Sequence, residues 1–209
     1  MRRVGVFGGT FDPPHLGHLV IAEWARARLG LERVLFVPSG VPPHKRGRRV
    51  TAPEHRIAMA RLAVRGNPAF GVSTLESRRD GPSYTVDTLR ALRARRPGER
   101  LYLLLGEDSL EELPTWREPE AIRDLATLVV AARPPGVTAG APRGGPGAGA
   151  ALSAPGLSGH GVRWLDNPPI ALSSSQVRRL VRARHTLRYL VPEAVRAYIE
   201  RHRLYRRTR

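Results

Sequence analysis

Four short apolar runs constrain the fold of this chain more than any other feature of its sequence. They are nearly continuous in apolar residues and bounded by Gly, Pro or charged residues: Arg3–Gly8, Arg33–Pro38, Leu101–Gly106 and Thr127–Ala132. A continuous apolar run, unlike strict alternation of apolar and polar residues, indicates a strand covered on both faces, as in a parallel sheet. Weaker runs at Phe70–Ser73 and Val162–Asp166 are candidates for two further strands.

Longer stretches with apolar residues at helical spacing lie between these runs. They cover Leu16–Leu29, which is followed by Gly30, then Glu54–Val64 and Tyr84–Arg95. A glycine directly after the last periodic residue is typical of a helix C-terminus. Alternating strands and helices predict an α/β doubly wound, mainly parallel sheet. In such a sheet, ligands bind outside the carboxyl ends of the strands.

The rest of the sequence indicates how the domain is organised outside the alternating strands and helices. We expect a single domain over residues 1–209, with a C-terminal helical part at 173–205. Two helices are predicted there, and Pro192 suits the first position of the second helix. Residues 134–161 consist mostly of Gly, Ala, Pro and Ser. Because such a segment buries little apolar surface, we predict a flexible insert.

The charge of the chain is high, with 35 basic and 18 acidic residues and a net charge of +17. Such a charge suits a polyanionic partner. Lys45 is, however, the only lysine, and the whole chain is rich in Ala, Gly, Pro and Arg. This composition favours arginine at ordinary solvated positions over a nucleic-acid surface, although a basic nucleic-acid-binding protein stays open as an alternative.

Two features that the sequence lacks indicate the cellular compartment of the protein. The chain has no cysteine, which excludes thiolate metal sites and disulfides and fits a cytoplasmic protein. No stretch approaches the ~20 apolar residues that a membrane span needs. We therefore expect a cytoplasmic protein without a membrane partner.

The first predicted strand runs directly into the segment GGTFDPPHLGH, from Gly8 to His18. Glycines allow backbone amides to approach an anion closely, and the N-terminus of the following helix adds a partial positive charge. His15 and His18 are three residues apart, so on the first helical turn they face the same space. There they can donate hydrogen bonds to a phosphate group. Gly17 between them is interpreted as keeping this face open to a ligand.

Other readings of this segment have less support. It matches neither the GxGxxG motif of redox Rossmann domains nor a Walker A loop. A metal site would lack an obvious third ligand beside the two histidines. A purely structural pair of histidines stays open.

The segment GTFDPPHLGH resembles the HxGH signature of the nucleotidylyltransferase superfamily. Near the other end, SSSQVR (Ser173–Arg178) resembles the second motif of that superfamily, with Leu172 and Ser175 where Ile and Thr are usual. The resemblance implies direct adenylyl transfer from ATP without a covalent intermediate. It also implies catalytic roles for His15, His18 and Arg178, and ATP contacts at Gly8, Gly9, Thr10, Phe11, Ser173, Ser174 and Ser175.

The middle of the chain resembles bacterial nicotinate-nucleotide adenylyltransferases. The matching segments are VPSGVPPHK (Val37–Lys45), PSYTVDTL (Pro82–Leu89), LLGEDSLEELPTW (Leu104–Trp116), ARP (Ala132–Pro134) and the C-terminal Tyr189–Tyr205. This likeness implies that Lys45, Thr85 and Trp116 bind the acceptor, and that Gly106, Asp108 and Arg133 bind ATP. The implied reaction passes AMP from ATP to nicotinate mononucleotide in NAD biosynthesis, giving nicotinate adenine dinucleotide and pyrophosphate. Mg²⁺ is expected to enter with ATP, with no metal site of the protein.

The sequence does not exclude two related acceptors of the adenylyl group. Nicotinamide mononucleotide differs from the nicotinate compound by one amide, and phosphopantetheine adenylyltransferases share the fold. A homo-oligomer is possible. Asp12 and Arg56 lie in segments that match the family but receive no role, and Trp116 could instead belong to the core.

Overall fold

The structure is a computed structural model that describes residues 1–41, 50–132 and 162–206. The predictions for Lys45, Arg133 and the 134–161 insert lie outside these residues. Within the described ranges the strands are β1 (Arg2–Gly9), β2 (Arg33–Pro38), β3 (Phe70–Val72), β4 (Glu99–Gly106), β5 (Ala126–Ala131) and β6 (Val162–Leu165). They form one sheet in the order β3-β2-β1-β4-β5-β6, and every neighbouring pair is parallel. The predicted doubly wound parallel sheet is confirmed.

The helices connect these strands. They are α1 (Leu16–Leu29), α2 (Pro53–Val64), α3 (Thr85–Arg95), α4 (Glu107–Glu112), α5 (Pro119–Leu125), α6 (Ser174–Arg182) and α7 (Glu193–Arg201), with a 3-10 helix at Leu113–Thr115. No helix among the described residues is long and apolar enough to cross a membrane.

Most predicted boundaries agree with the structure to within two residues. Gly30 follows α1 in the left-handed conformation, with a φ of 60°. The prediction that Pro192 is the first residue of a helix is wrong by one position. With φ −55° and ψ 145°, Pro192 is not helical and is the N-cap residue of α7, which begins at Glu193. Helices α4 and α5 were not predicted, since segments of six and seven residues are too short to show a helical period.

The continuous apolar runs arise because helices cover both faces of the sheet. Along β4, Leu101, Leu103 and Leu105 pack with residues of α3, α4 and α5 on one face. Tyr102 and Leu104 pack on the other face with residues of α1. A third apolar cluster joins α2 to α6 and α7. The C-terminal helices are thereby held against the body of the domain.

Strand order places the predicted phosphate-binding segment at a specific point of the sheet. The chain builds β2 and β3 on one side of β1, and then β4, β5 and β6 on the other. The order therefore reverses between β1 and β4, which opens a crevice at the carboxyl ends of these strands. The segment Gly8–His18 begins with the last two residues of β1 and lies at this crevice.

Candidate active site

Two imidazole rings stack at the start of α1. The rings of His15 and His18 have centroids 3.7 Å apart and planes inclined by 28°. The backbone N–H of His15 donates a hydrogen bond to Nδ1 of His18 at 3.1 Å. Since Nδ1 accepts, the hydrogen of a neutral His18 lies on Nε2. The helix start thus orients a donor group on the far side of this ring.

His15 is buried, with 5% of its surface exposed. Burial lowers the pKa of His15 to about 4, so the imidazole is neutral at neutral pH. A Cβ atom at position 17 would lie 3.1 Å from His15 Nδ1. The missing side chain at Gly17 therefore makes room for the ring of His15. That it also leaves space for a ligand stays a prediction.

The end of β1 and the turn that leads to α1 combine open backbone with a buried ring. A Cβ atom added at Gly8 would have no atom of the described residues within 4 Å, whereas one added at Gly9 would lie 3.1 Å from the ring of Phe11. Phe11 has a φ of 50°, and its ring packs against Phe7 and Phe36 with centroids 5.7 and 5.5 Å away. Because only 2% of Phe11 is exposed, its ring serves the core, and an ATP contact would fall to its backbone.

Replacing Gly8 with alanine tests whether this open backbone receives a ligand. A methyl group there has no neighbour within 4 Å in the part of the chain that the structure describes, so we expect a variant as stable as the parent chain. Its KM for ATP should rise at least about tenfold, equivalent to ~1.4 kcal/mol, because the methyl group obstructs close approach of a phosphate. Gly98→Ala, at another open position, is the control. An unchanged KM for ATP in Gly8→Ala would exclude nucleotide binding over this turn.

The serine motif docks onto the same turn. Ser174 Oγ donates to the carbonyl oxygen of Pro13 at 2.8 Å, and Arg178 Nη1 donates to that of Asp12 at 2.6 Å. Arg178 Nη2 also donates to Ser175 Oγ at 3.0 Å. Ser173 caps α6, because its Oγ accepts from the backbone N–H of Gln176 at 3.2 Å. The two motifs, more than 160 residues apart in the chain, therefore form one site.

The other predicted ligand contacts lie in nearby elements. Gly106 ends β4, beside β1 in the sheet, and caps α4, whose first turn contains Asp108. Thr85 is the first residue of α3. Trp116 is half-buried and packs against the core cluster beneath α3 and α5. A packing role for Trp116 is thus present, and its stacking on an acceptor ring stays a prediction.

Two charged residues in this region, Asp12 and Arg56, are buried and received no role from the sequence. Asp12 is 4% exposed and Arg56 is 1% exposed. Asp12 accepts from the hydroxyl of Tyr205 at 2.7 Å and from the backbone N–H of Thr51 at 3.2 Å. One signal was available for Arg56, since it shares a helical face with the buried Met59 and Ala60. A charged residue on the apolar face of a helix indicates a specific partner.

The sheet order, the predicted phosphate-binding turn at its crevice and the docked serine motif agree with the α/β nucleotidyltransferase class that the motifs predicted. The family described as cytidylyltransferase-like matches residues 6–180. The probable nicotinate-nucleotide adenylyltransferase of Symbiobacterium thermophilum is 49% identical over 207 residues, covering 99% of this chain and 97% of that protein. That of Thermomicrobium roseum is 47% identical and covers 99% and 92%. The chain belongs to the cytidylyltransferase-like family and, within it, to the nicotinate-nucleotide adenylyltransferases.

Solved structures agree on the fold. The Plasmodium falciparum nicotinic acid mononucleotide adenylyltransferase, complexed with NaAD, superposes with a TM-score of 0.75 over 98% of both chains. Its sequence identity to this chain is 16%. A likeness at that identity shows a shared architecture and carries no residue roles.

Proposed function

We propose that this chain transfers AMP from ATP to nicotinate mononucleotide, forming nicotinate adenine dinucleotide and releasing pyrophosphate. The observation that carries the proposal is the docking of Ser174 and Arg178 onto the turn that precedes His15. It places hydroxyl, guanidinium and imidazole donors around one crevice, as the binding of a triphosphate requires. The name and near-complete coverage of the relatives in Symbiobacterium and Thermomicrobium support the acceptor.

The reaction needs donors more than it needs a base. A phosphate oxygen of the acceptor attacks the α-phosphorus of ATP in line, and the bond to pyrophosphate breaks. Because the attacking phosphate is already ionised at neutral pH, no side chain has to remove a proton. His18 Nε2–H and the neutral His15 would donate to phosphate oxygens as charge moves onto the leaving group.

Arg178 is suited to bind the departing pyrophosphate. A guanidinium carries five N–H donors in a fixed plane, and Asp12 O and Ser175 Oγ accept from two of its nitrogens. These bonds orient the group, and further N–H donors remain for phosphate oxygens. Ser174 and Ser175 lie in the first turn of α6, whose N-terminus adds a favourable partial charge.

The described parts of two predicted acceptor segments also lie close together. Gly40 N–H donates to Ser83 Oγ at 3.0 Å, and Ser83 N–H donates to the carbonyl of Val41 at 3.0 Å. The loop after β2, which leads toward Lys45, is thus tied to the start of α3 at Thr85. Lys45 itself lies outside the described residues. Its role as a ligand of the acceptor phosphate, with Thr85 and Trp116 near the pyridine ring, is proposed from the resemblance of its segment to the family.

We propose that Mg²⁺ enters as part of the ATP substrate. Among the described residues, no group of three or more His, Asp or Glu side chains could hold a metal ion. Mg²⁺ commonly keeps several waters and binds through substrate phosphates with few protein carboxylates. The protein would then bind the charged oxygens of ATP that the metal leaves exposed.

The direct test is release of pyrophosphate from ATP with each of three acceptors in turn. We expect turnover with nicotinate mononucleotide and much slower turnover with nicotinamide mononucleotide or phosphopantetheine. Activity with phosphopantetheine alone would overturn the acceptor but retain adenylyl transfer. No turnover with any acceptor, together with tight and steeply salt-dependent binding to duplex DNA, would favour the nucleic-acid alternative.

A further inference from the structure

Arg56 is among the largest side chains that the fold buries completely. Within the described residues, its guanidinium donates three hydrogen bonds, all to backbone carbonyls. Nε donates to Thr51 at 2.8 Å, Nη1 to Thr10 at 2.9 Å and Nη2 to Gly40 at 2.9 Å. Burying a cation costs several kcal/mol unless its partners are well placed. A residue needed only to fill space here would be apolar.

The three carbonyls belong to three different segments. Thr10 lies in the turn after β1 that is assigned to ATP, and Gly40 lies in the loop after β2 that is assigned to the acceptor. Thr51 precedes α2, and its N–H donates to the carboxylate of Asp12. The planar, rigid fork of an arginine holds such partners at fixed separations. Arg56 therefore joins the two halves of the crevice by direct bonds.

Each half is internally connected as well. On the acceptor side, Gly40 N–H bonds to Ser83 Oγ, and the nearby Glu76 carboxylate accepts from Thr88 of α3 at 2.8 Å. On the ATP side, Asp12 accepts from Tyr205, near the C-terminal end of the described chain. A shift at Arg56 would thus move whole segments relative to each other and leave each half intact.

We propose that Arg56 is a positioning residue that sets the separation between the ATP-binding turn and the acceptor-binding loop. In-line transfer requires the attacking oxygen to lie close to the α-phosphorus, and a displacement of about 1 Å can cost about 10²-fold in rate. The inference rests on the proposed function. It predicts that replacing Arg56 impairs the joint arrangement of the two substrates more than the binding of either one.

The test uses Arg56→Lys, which keeps the positive charge but lacks the planar fork. We expect kcat to fall about 10²-fold. The Kd for ATP alone and for nicotinate mononucleotide alone should each change less than about threefold, because each half of the site persists. Arg61→Lys, an exposed arginine of the same helix, is the matched control and should keep the parent kcat. Circular dichroism and urea unfolding establish that each variant is folded under assay conditions.

The outcomes separate this proposal from the proposed function. If the parent chain does not turn over nicotinate mononucleotide, the proposed function fails. If the parent is active and folded Arg56→Lys keeps its kcat within about threefold, the positioning role is overturned. A loss confined to one Kd would make Arg56 part of a single half-site and would also overturn it. Should Arg56→Lys not fold, Arg56→Gln is measured in the same way, and failure of both to fold would limit Arg56 to stability.

Discussion

Replacing His18 with asparagine should lower kcat for adenylyl transfer by about 10²–10³-fold, the usual effect of removing one donor to a developing charge. The amide oxygen of asparagine occupies about the position of Nδ1, so it can still accept from the backbone N–H of His15. The donor on Nε2 is lost. Turnover is measured by pyrophosphate release with both substrates saturating.

His18→Ala separates the two roles of this ring. It removes both the donor and the cap of α1, so it should lose turnover to the same degree and also about 1 kcal/mol of stability. Urea unfolding of the two variants measures the difference. If His18→Ala kept turnover within about threefold of the parent chain, the assignment of the histidine pair to phosphate binding would be wrong.

Replacing Gly40 with alanine should lower the free energy of unfolding by about 3 kcal/mol or more, as forced overpacking does. A Cβ atom there would lie 2.4 Å from the backbone oxygen of Glu76 and 3.0 Å from Ser83 Oγ. A backbone oxygen cannot move aside as the end of a flexible side chain can. The loop after β2 would have to shift, breaking the bonds of Gly40 to Ser83 and to Arg56.

Gly98→Ala provides the control for this comparison. Position 98 lies in the turn before β4, and across residues 1–41, 50–132 and 162–206 no atom lies within 4 Å of a Cβ added there. We expect its stability to stay within about 0.5 kcal/mol of the parent chain, as for most surface substitutions. Unfolding in urea, followed by tryptophan fluorescence, compares the two variants. Equal stability of Gly40→Ala and Gly98→Ala would contradict the close contact between Gly40 and the loop after β3.

The strands could be predicted because residues that are consecutive in the sequence show their burial on both faces. Helices pack on both faces of β4, so Leu101 to Leu105 are all apolar, and that run can be read without knowing its neighbours. Helix α5 was not predicted, because its local sequence does not show its burial. Its seven residues span about two turns, and its place depends on packing against α3 and the sheet.

Some residues of the candidate site could likewise be predicted from local sequence, and others could not. His15 and His18 lie three residues apart, so the geometry of one helical turn determines that they share a space. Arg56 is different, because its three carbonyl partners belong to separate segments of the chain. Only its place on the apolar face of α2 hinted at a role, and nothing local named its partners.

The sequence by itself determined the parallel α/β architecture, the candidate phosphate-binding segment at the end of β1 and, through the resemblance of its motifs, the adenylyl transfer. These follow from apolar periods and from residues close together in the chain. The tertiary structure alone decided that Gly17 serves the ring of His15, that Arg178 is held by the carbonyl of Asp12, and that Arg56 joins two loops. Each of these depends on contacts between segments that the sheet brings together, and such distances are not encoded in any local pattern.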